Sequence, residues 1–276
     1  MDEPERKPKK PHFSVTQMDM ASKCWEQWRR RYEEGEVLSP GFALIRGGSV
    51  HSAAEDNLRQ KIESGRDMPA NDVVELAESH FLTRVAGGVA LDSDEIGQNL
   101  SVVQGRALDT TVRLARLHAL HQAPKLRPIA VEEVIRVSLP DLPRDLLAVI
   151  DVVEVDEMLR DIKTTKKAKD QEEADISNQL SAYNFAWQVK TGKAPPRLAL
   201  DVLVDTGSQQ FRQELVTTRD DQDTRIFGRK FVTMCQQVEA GIFPPAPPGV
   251  WWCSAKYCGY HSSCDFVRPG KRRQAD

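Results

Sequence analysis

Three residues near the middle of the chain have the types and spacing to act on a phosphate. Asp151 interrupts an apolar run, with Leu146, Leu147, Val149 and Ile150 before it and Val152 and Val153 after it. A carboxylate in such a run is costly to bury unless it is paired or holds a metal. Further on come Asp161, Ile162 and Lys163. On a strand, side chains alternate, so Asp161 and Lys163 share one face while Ile162 points to the core. If the two segments pair as a hairpin, Asp151 approaches Asp161. Two hard carboxylates with a lysine beside them suit Mg²⁺ or Mn²⁺. A cation there polarises a phosphate and acidifies an attacking water. Lys163 would orient that water or meet developing negative charge. Gln179 and Tyr183, four apart on a following helix, lie on one helical face.

Cysteines form the second constellation. Cys253, Cys258 and Cys264 fall close together near the C-terminus, with spacing C-x4-C-x5-C. Three thiols want a fourth ligand; His261 is the near candidate and Cys24 the distant one. A tight C-x2-C pair, usual in structural zinc sites, is missing. Cys235 sits at helical spacing with Phe231 and Val238, which reads as a core position. Five cysteines in all, an odd number, argue against a disulfide framework.

Composition narrows the class. The chain has 276 residues, is 40% hydrophobic and 29% charged, and carries a net charge of −3. Wholesale disorder and fibrous repeats are excluded. No apolar run is long enough for a membrane span, and the first residues have no secretory apolar core, so a cytoplasmic setting without membrane contact is expected. The net charge argues against a protein that merely coats nucleic acid. Basic residues are nevertheless clustered. Arg29, Arg30 and Arg31 follow Trp25 and Trp28, and Lys166, Lys167 and Lys169 follow the Asp161–Lys163 strand directly. The second cluster is well placed to hold a phosphate backbone, and Arg29 and Arg30 are candidates for the same path. No G-x-x-x-x-G-K-[ST] phosphate loop occurs.

These residues must be positioned by an α/β chain. Residues 1–11 read as a disordered tail. Helices are expected over about 14–32, 49–64, 71–85 and 98–122, with residues 35–47 as a loop. Strands follow at 129–137, 146–155 and 158–163, then a helix at 175–189, strands at 198–205 and 211–218, and a helix at 221–240. Residues 241–276 carry proline pairs, Trp251, Trp252 and the cysteines, with little regular pattern. The sheet is expected to be mixed, because the hairpins are antiparallel and the helix at 175–189 can bridge parallel strands.

Four segments, in order, resemble the RecB-like branch of the PD-(D/E)XK nucleases: FSVTQMDMASKCWEQWRRRY, RGGSVHSAAEDNL, IDVVEVDEMLRDIKTT and QLSAY. The resemblance implies a restriction-endonuclease-like core, a mixed central sheet flanked by helices, with an N-terminal helical region and a C-terminal cysteine tail. It makes 12–266 one domain: helices 14–123, α/β core 128–240, tail 241–266, then a basic extension 267–276. It assigns metal ligation to His51, Asp151 and Asp161, positioning of the water to Lys163, and completion of the site or contact with DNA to Gln179 and Tyr183. Glu132 and Glu133 stand where some relatives carry a further acid, and the sequence does not choose between them. The branch containing AddB and the CRISPR-associated RecB-like exonucleases carries a [4Fe–4S] cluster, which would assign Cys24, Cys253, Cys258 and Cys264 as ligands. Zinc is the alternative occupant. The activity implied is metal-dependent DNA cleavage, as an exonuclease acting on ends or single strands in recombination, repair or phage DNA processing. A non-catalytic DNA-binding module and a zinc-stabilised interaction protein are the competing readings.

Overall fold

The computed structural model describes residues 10–267, so most of the N-terminal tail and most of the basic C-terminal extension lie outside the described residues. The element order is β1 (His12–Ser14), α1 (Val15–Lys23), α2 (Trp25–Tyr32), α3 (Phe42–Ser64), α4 (Ala70–Ala86) and α5 (Leu100–Leu117). There follow β2 (Pro128–Val137), β3 (Asp145–Glu154), β4 (Leu159–Thr165), α6 (Gln171–Asp175), α7 (Asn178–Thr191), β5 (Leu198–Asp205), β6 (Gln210–Thr217) and α8 (Asp221–Glu239). Among the described residues, no helix is long and apolar enough to cross a membrane.

The sheet is mixed. β2 runs antiparallel to almost the whole length of β3. A strand has two edges, and β3 divides the other: β1 pairs parallel at residues 145–147, while β4 pairs antiparallel only at Val152 and Val153. β4 then runs parallel to β5, and β5 antiparallel to β6. On one face, α7 and α8 bury Leu180, Tyr183, Phe227 and Phe231 with Phe13, Trp28, Ile150 and Val202. On the other, α3 and α5 bury Val50, Leu58 and Leu114 with Val131, Val152 and Ile162.

Several boundaries differ from the sequence expectation. β1 was not anticipated, because three residues are too few to show a period. The expected helix over 14–32 is two helices. Cys24 breaks them with extended backbone (φ −164°, ψ 110°) and its Sγ accepts a hydrogen bond from the Gln27 N–H. α3 starts at Phe42, inside the expected loop. Its Gly47 eases the approach to β4, since a Cβ there would sit a tight 3.1 Å from Thr164 Oγ1. The helix expected from Asp175 starts at Asn178 as α7, capped by Ser177, and a short unanticipated helix, α6, ends at Asp175 just before it. α5 ends at Leu117 and the chain continues as a π-helical turn to Gln122. Lys10, assigned to the tail, donates to the carbonyls of Leu139 and Leu142.

Candidate active site

The carboxylates meet where the β3 edge changes partner. Between its pairing with β1 and with β4, the β3 edge is open, and Asp151 fills it. Its Oδ2 accepts from the Ile162 backbone N–H at 2.7 Å, replacing a missing ladder bond. Asp161, fully buried, stands beside it on β4. One turn beyond Gly47 on α3, His51 places Nε2 2.9 Å from Asp151 Oδ2. Lys163 Nζ donates to Asp161 Oδ1 at 2.8 Å. From α7, the Tyr183 hydroxyl lies 3.2 Å from Asp151 Oδ1 and 3.4 Å from Asp161 Oδ1. Gln179 donates its amide to the Tyr183 oxygen at 2.9 Å, which leaves the tyrosine proton to the carboxylates. All six residues singled out in the sequence for this centre are therefore in one connected group.

Glu132 joins them. In the β2–β3 register Val131 faces Val152 and Glu133 faces Ile150, so Glu132 lies opposite Asp151. Its backbone is in the left-handed region, φ 53°, where an L-residue is strained. The twist turns its carboxylate toward His51, with Oε1 3.5 Å from Nε2. Donor atoms of His51, Glu132 and Asp151 all lie within 4.8 Å of one another. Glu133 faces away and pairs with Lys190. The sequence offers both acids; the left-handed backbone that selects one leaves no mark in residue types.

The electrostatics fit a cation. Burial raises the Asp161 carboxyl, and the Asp151 charge adds to this against the pull of Lys163. Burial also favours neutral forms of Asp151, His51 and Lys163, but their mutual attraction wins. Asp151 is held below its ordinary range by His51, Lys163 is held protonated, and His51 is raised to about 9 by the surrounding acids, so a cation would take the place of its proton. Asp161 Oδ2 and Glu132 Oε1 are buried without a hydrogen-bond partner. Buried oxygens with no donor are costly, and two beside an imidazole and a third carboxylate form a donor set that fits Mg²⁺ or Mn²⁺.

The basic candidates divide. Lys166 and Lys167 are exposed on the turn leaving β4. Lys169 lines the cleft onto which Lys163 and Gln179 open, and pairs with Glu173. Arg29 pairs with Glu26 and Glu34. Arg30 pairs with Glu36, donates to the Ser263 hydroxyl and stacks over Tyr260 at 4.8 Å. These arginines tie α2 to the chain around it.

A second cavity, about 1080 Å³, is lined by Cys24, Cys253, Cys258 and Cys264. Burial raises the Cys258 thiol, and the other three lie near enough to add to it electrostatically. Segments near the two ends of the chain thus bring four sulfurs to the lining of one cavity, although among the described residues they are not a group whose donor atoms all lie within 4.8 Å of one another. His261 lines it too, its Nδ1 buried without a partner. Cys235 is fully buried in the core with Phe231.

A family model, the PD-(D/E)XK nuclease superfamily, matches residues 12–265. Among solved structures, a Eubacterium rectale protein described as "Putative exonuclease" superposes with a TM-score of 0.53 at 13% identity, covering 88% of this chain and 86% of its own. A second, SSO0001, covers 96% and 90% at 12% identity and a TM-score of 0.43. The first likeness is one of fold; the second carries no argument. No curated protein matches.

Proposed function

We propose that this chain, which belongs to the PD-(D/E)XK nuclease superfamily, is a metal-dependent DNA exonuclease that hydrolyses phosphodiesters at DNA ends or in single strands. The observation that carries the reading is Asp161 Oδ2, fully buried and without a partner among Asp151, His51, Glu132 and Lys163. Asp151, Asp161, His51 and Glu132 would hold Mg²⁺ or Mn²⁺, whose chemistry is to polarise the scissile phosphate and acidify water. The Ile162 N–H and the Tyr183 hydroxyl hold Asp151 in place, and Gln179 orients that hydroxyl. Lys163, kept protonated by the two aspartates, sits at the cleft to orient the attacking water and meet charge building on the phosphate oxygens. Lys166, Lys167 and Lys169 follow on the same side of the chain and would take the DNA backbone. Arg29 and Arg30, neutralised by Glu26, Glu34 and Glu36, would reach DNA only by giving up those ion pairs.

Cys24, Cys253, Cys258 and Cys264 are assigned to a [4Fe–4S] cluster, with zinc as the alternative occupant. Either would join the two chain ends across the core. The setting inferred is cytoplasmic, in recombination, repair or phage DNA processing. Mn²⁺-dependent digestion of linear against covalently closed circular single-stranded DNA tests the exonuclease. Linear DNA should be degraded while the circle survives; cleavage of the circle at a similar rate would show an endonuclease.

A further inference from the structure

The cleft onto which Lys163 and Gln179 open, about 640 Å³, extends beyond them. Its far wall is aromatic and comes from the cysteine tail: Trp251, Trp252 and Tyr257. Trp251 and Tyr257 are 64% and 55% exposed and touch one another, so they form a contiguous aromatic patch and not scattered single residues. Trp251 meets Trp252 at a 5.6 Å centroid distance and 87°, and Tyr257 at 4.8 Å and 81°. These edge-to-face contacts build a stepped wall, not a closed stack. Lys256 lies 5.7 Å from the Tyr257 ring.

The wall is fixed relative to the acids. The Trp252 indole N–H donates to the Lys23 carbonyl at the end of α1, and the Ser254 hydroxyl to the Trp251 carbonyl. α1 is in turn held to α7 through Asn178, whose amide donates to Asp19. α7 carries Gln179 and Tyr183. The aromatic rings thus share one cleft with Lys163 and Gln179, the two residues of the centre that open onto it, and packed helices join them. Trp251 also borders the cysteine cavity.

We propose that Trp251 and Tyr257 are a stacking platform for unpaired bases, so that the cleft takes single-stranded DNA whose backbone runs on toward Lys163. Unpaired bases expose their faces to such rings, whereas in a duplex those faces are already stacked on neighbours. The proposal rests on the nuclease reading for its polymer but not for its test, since binding is read without cleavage.

The experiment measures anisotropy of a fluorescent oligothymidine and of a blunt duplex with full-length protein in an Asp161→Ala background, which prevents digestion. Trp251→Ala and Tyr257→Ala should each weaken oligothymidine binding about tenfold, leave the duplex within twofold, and leave the metal content of the cysteine site unchanged. Trp251→Phe should restore most of the loss. Unchanged oligothymidine affinity, an equal loss on the duplex, or a loss that follows loss of the bound metal would each overturn the platform. Failure of the nuclease reading would show separately, as wild-type protein that digests no DNA with Mn²⁺.

Discussion

Glu132 couples a backbone strain to a chemical role, and the two can be separated. At φ 53° a non-glycine residue costs about 1–2 kcal/mol. Glu132→Gly removes that strain; the glycine's extra unfolded freedom takes back about 0.5–1 kcal/mol. Burial also raises the Glu132 carboxyl, the mark of a desolvated group, so its deletion relieves a further cost. The net expectation is a metal-free protein more stable by about 1 kcal/mol, or about 2–4 °C in Tm for a domain approaching this size. Activity should move the other way, falling about 10- to 100-fold, as for groups that shape a metal site. Glu132→Gln keeps the strain and loses the charge, so it should lose activity with its Tm near wild type. Glu133→Ala removes only the surface pair with Lys190 and should change activity little. Thermal unfolding and Mn²⁺-dependent digestion of end-labelled DNA give both readouts. A Glu132→Gly protein that is less stable and fully active would refute the reasoning.

Three further expectations concern the rest of the fold. His118 is fully buried, its ring nitrogens facing Gln122 and Asn57, and burial lowers it to about 4. The unfolded chain therefore binds its proton more tightly, and stability should fall as pH drops from about 6.5 toward 4; by urea unfolding, wild type should lose about 2 kcal/mol more than His118→Leu between pH 7 and 5. Arg160 is buried among Glu154, Asp201 and Glu214, so Arg160→Met should cost about 3–5 kcal/mol in denaturant titration by stranding those acids. Cys24→Ser keeps a side chain able to cap α2 but removes a sulfur, so metal analysis should show lost iron or zinc with little loss of helix, while Cys235→Ala should keep the full metal content.

The residues of the centre were legible because their chemistry contradicts their surroundings. Asp151 in an apolar run and Asp161–Lys163 at strand spacing announce themselves, and the α7 pair follows from helical period. What residue types could not show was long-range pairing. Three residues at the N-terminus form β1 only because β3 has an edge to receive them. Glu132 and Glu133 are chemically alike, and only the left-handed turn of β2 decides which one faces His51. The break at Cys24 is invisible in a segment whose helical pattern continues through it. The basic runs have their acids close by in sequence. Glu26 and Arg29 are three apart and Lys169 and Glu173 four apart, so these pairs were legible at helical spacing, whereas the contact of Arg30 with Ser263 and Tyr260 had to come from the fold. Gly47 lies four residues before His51, and only the fold shows its close approach to Thr164.

The central claim is that Asp161 and Lys163 act on a phosphodiester. The most direct measurement is the initial rate of Mn²⁺-dependent release from end-labelled single-stranded DNA, comparing wild type, Asp161→Ala and Lys163→Ala proteins that unfold at similar temperatures. Wild type should cleave, and both variants should lose the activity. Equal residual cleavage in the three proteins would contradict it, placing the activity at another site or in a contaminant.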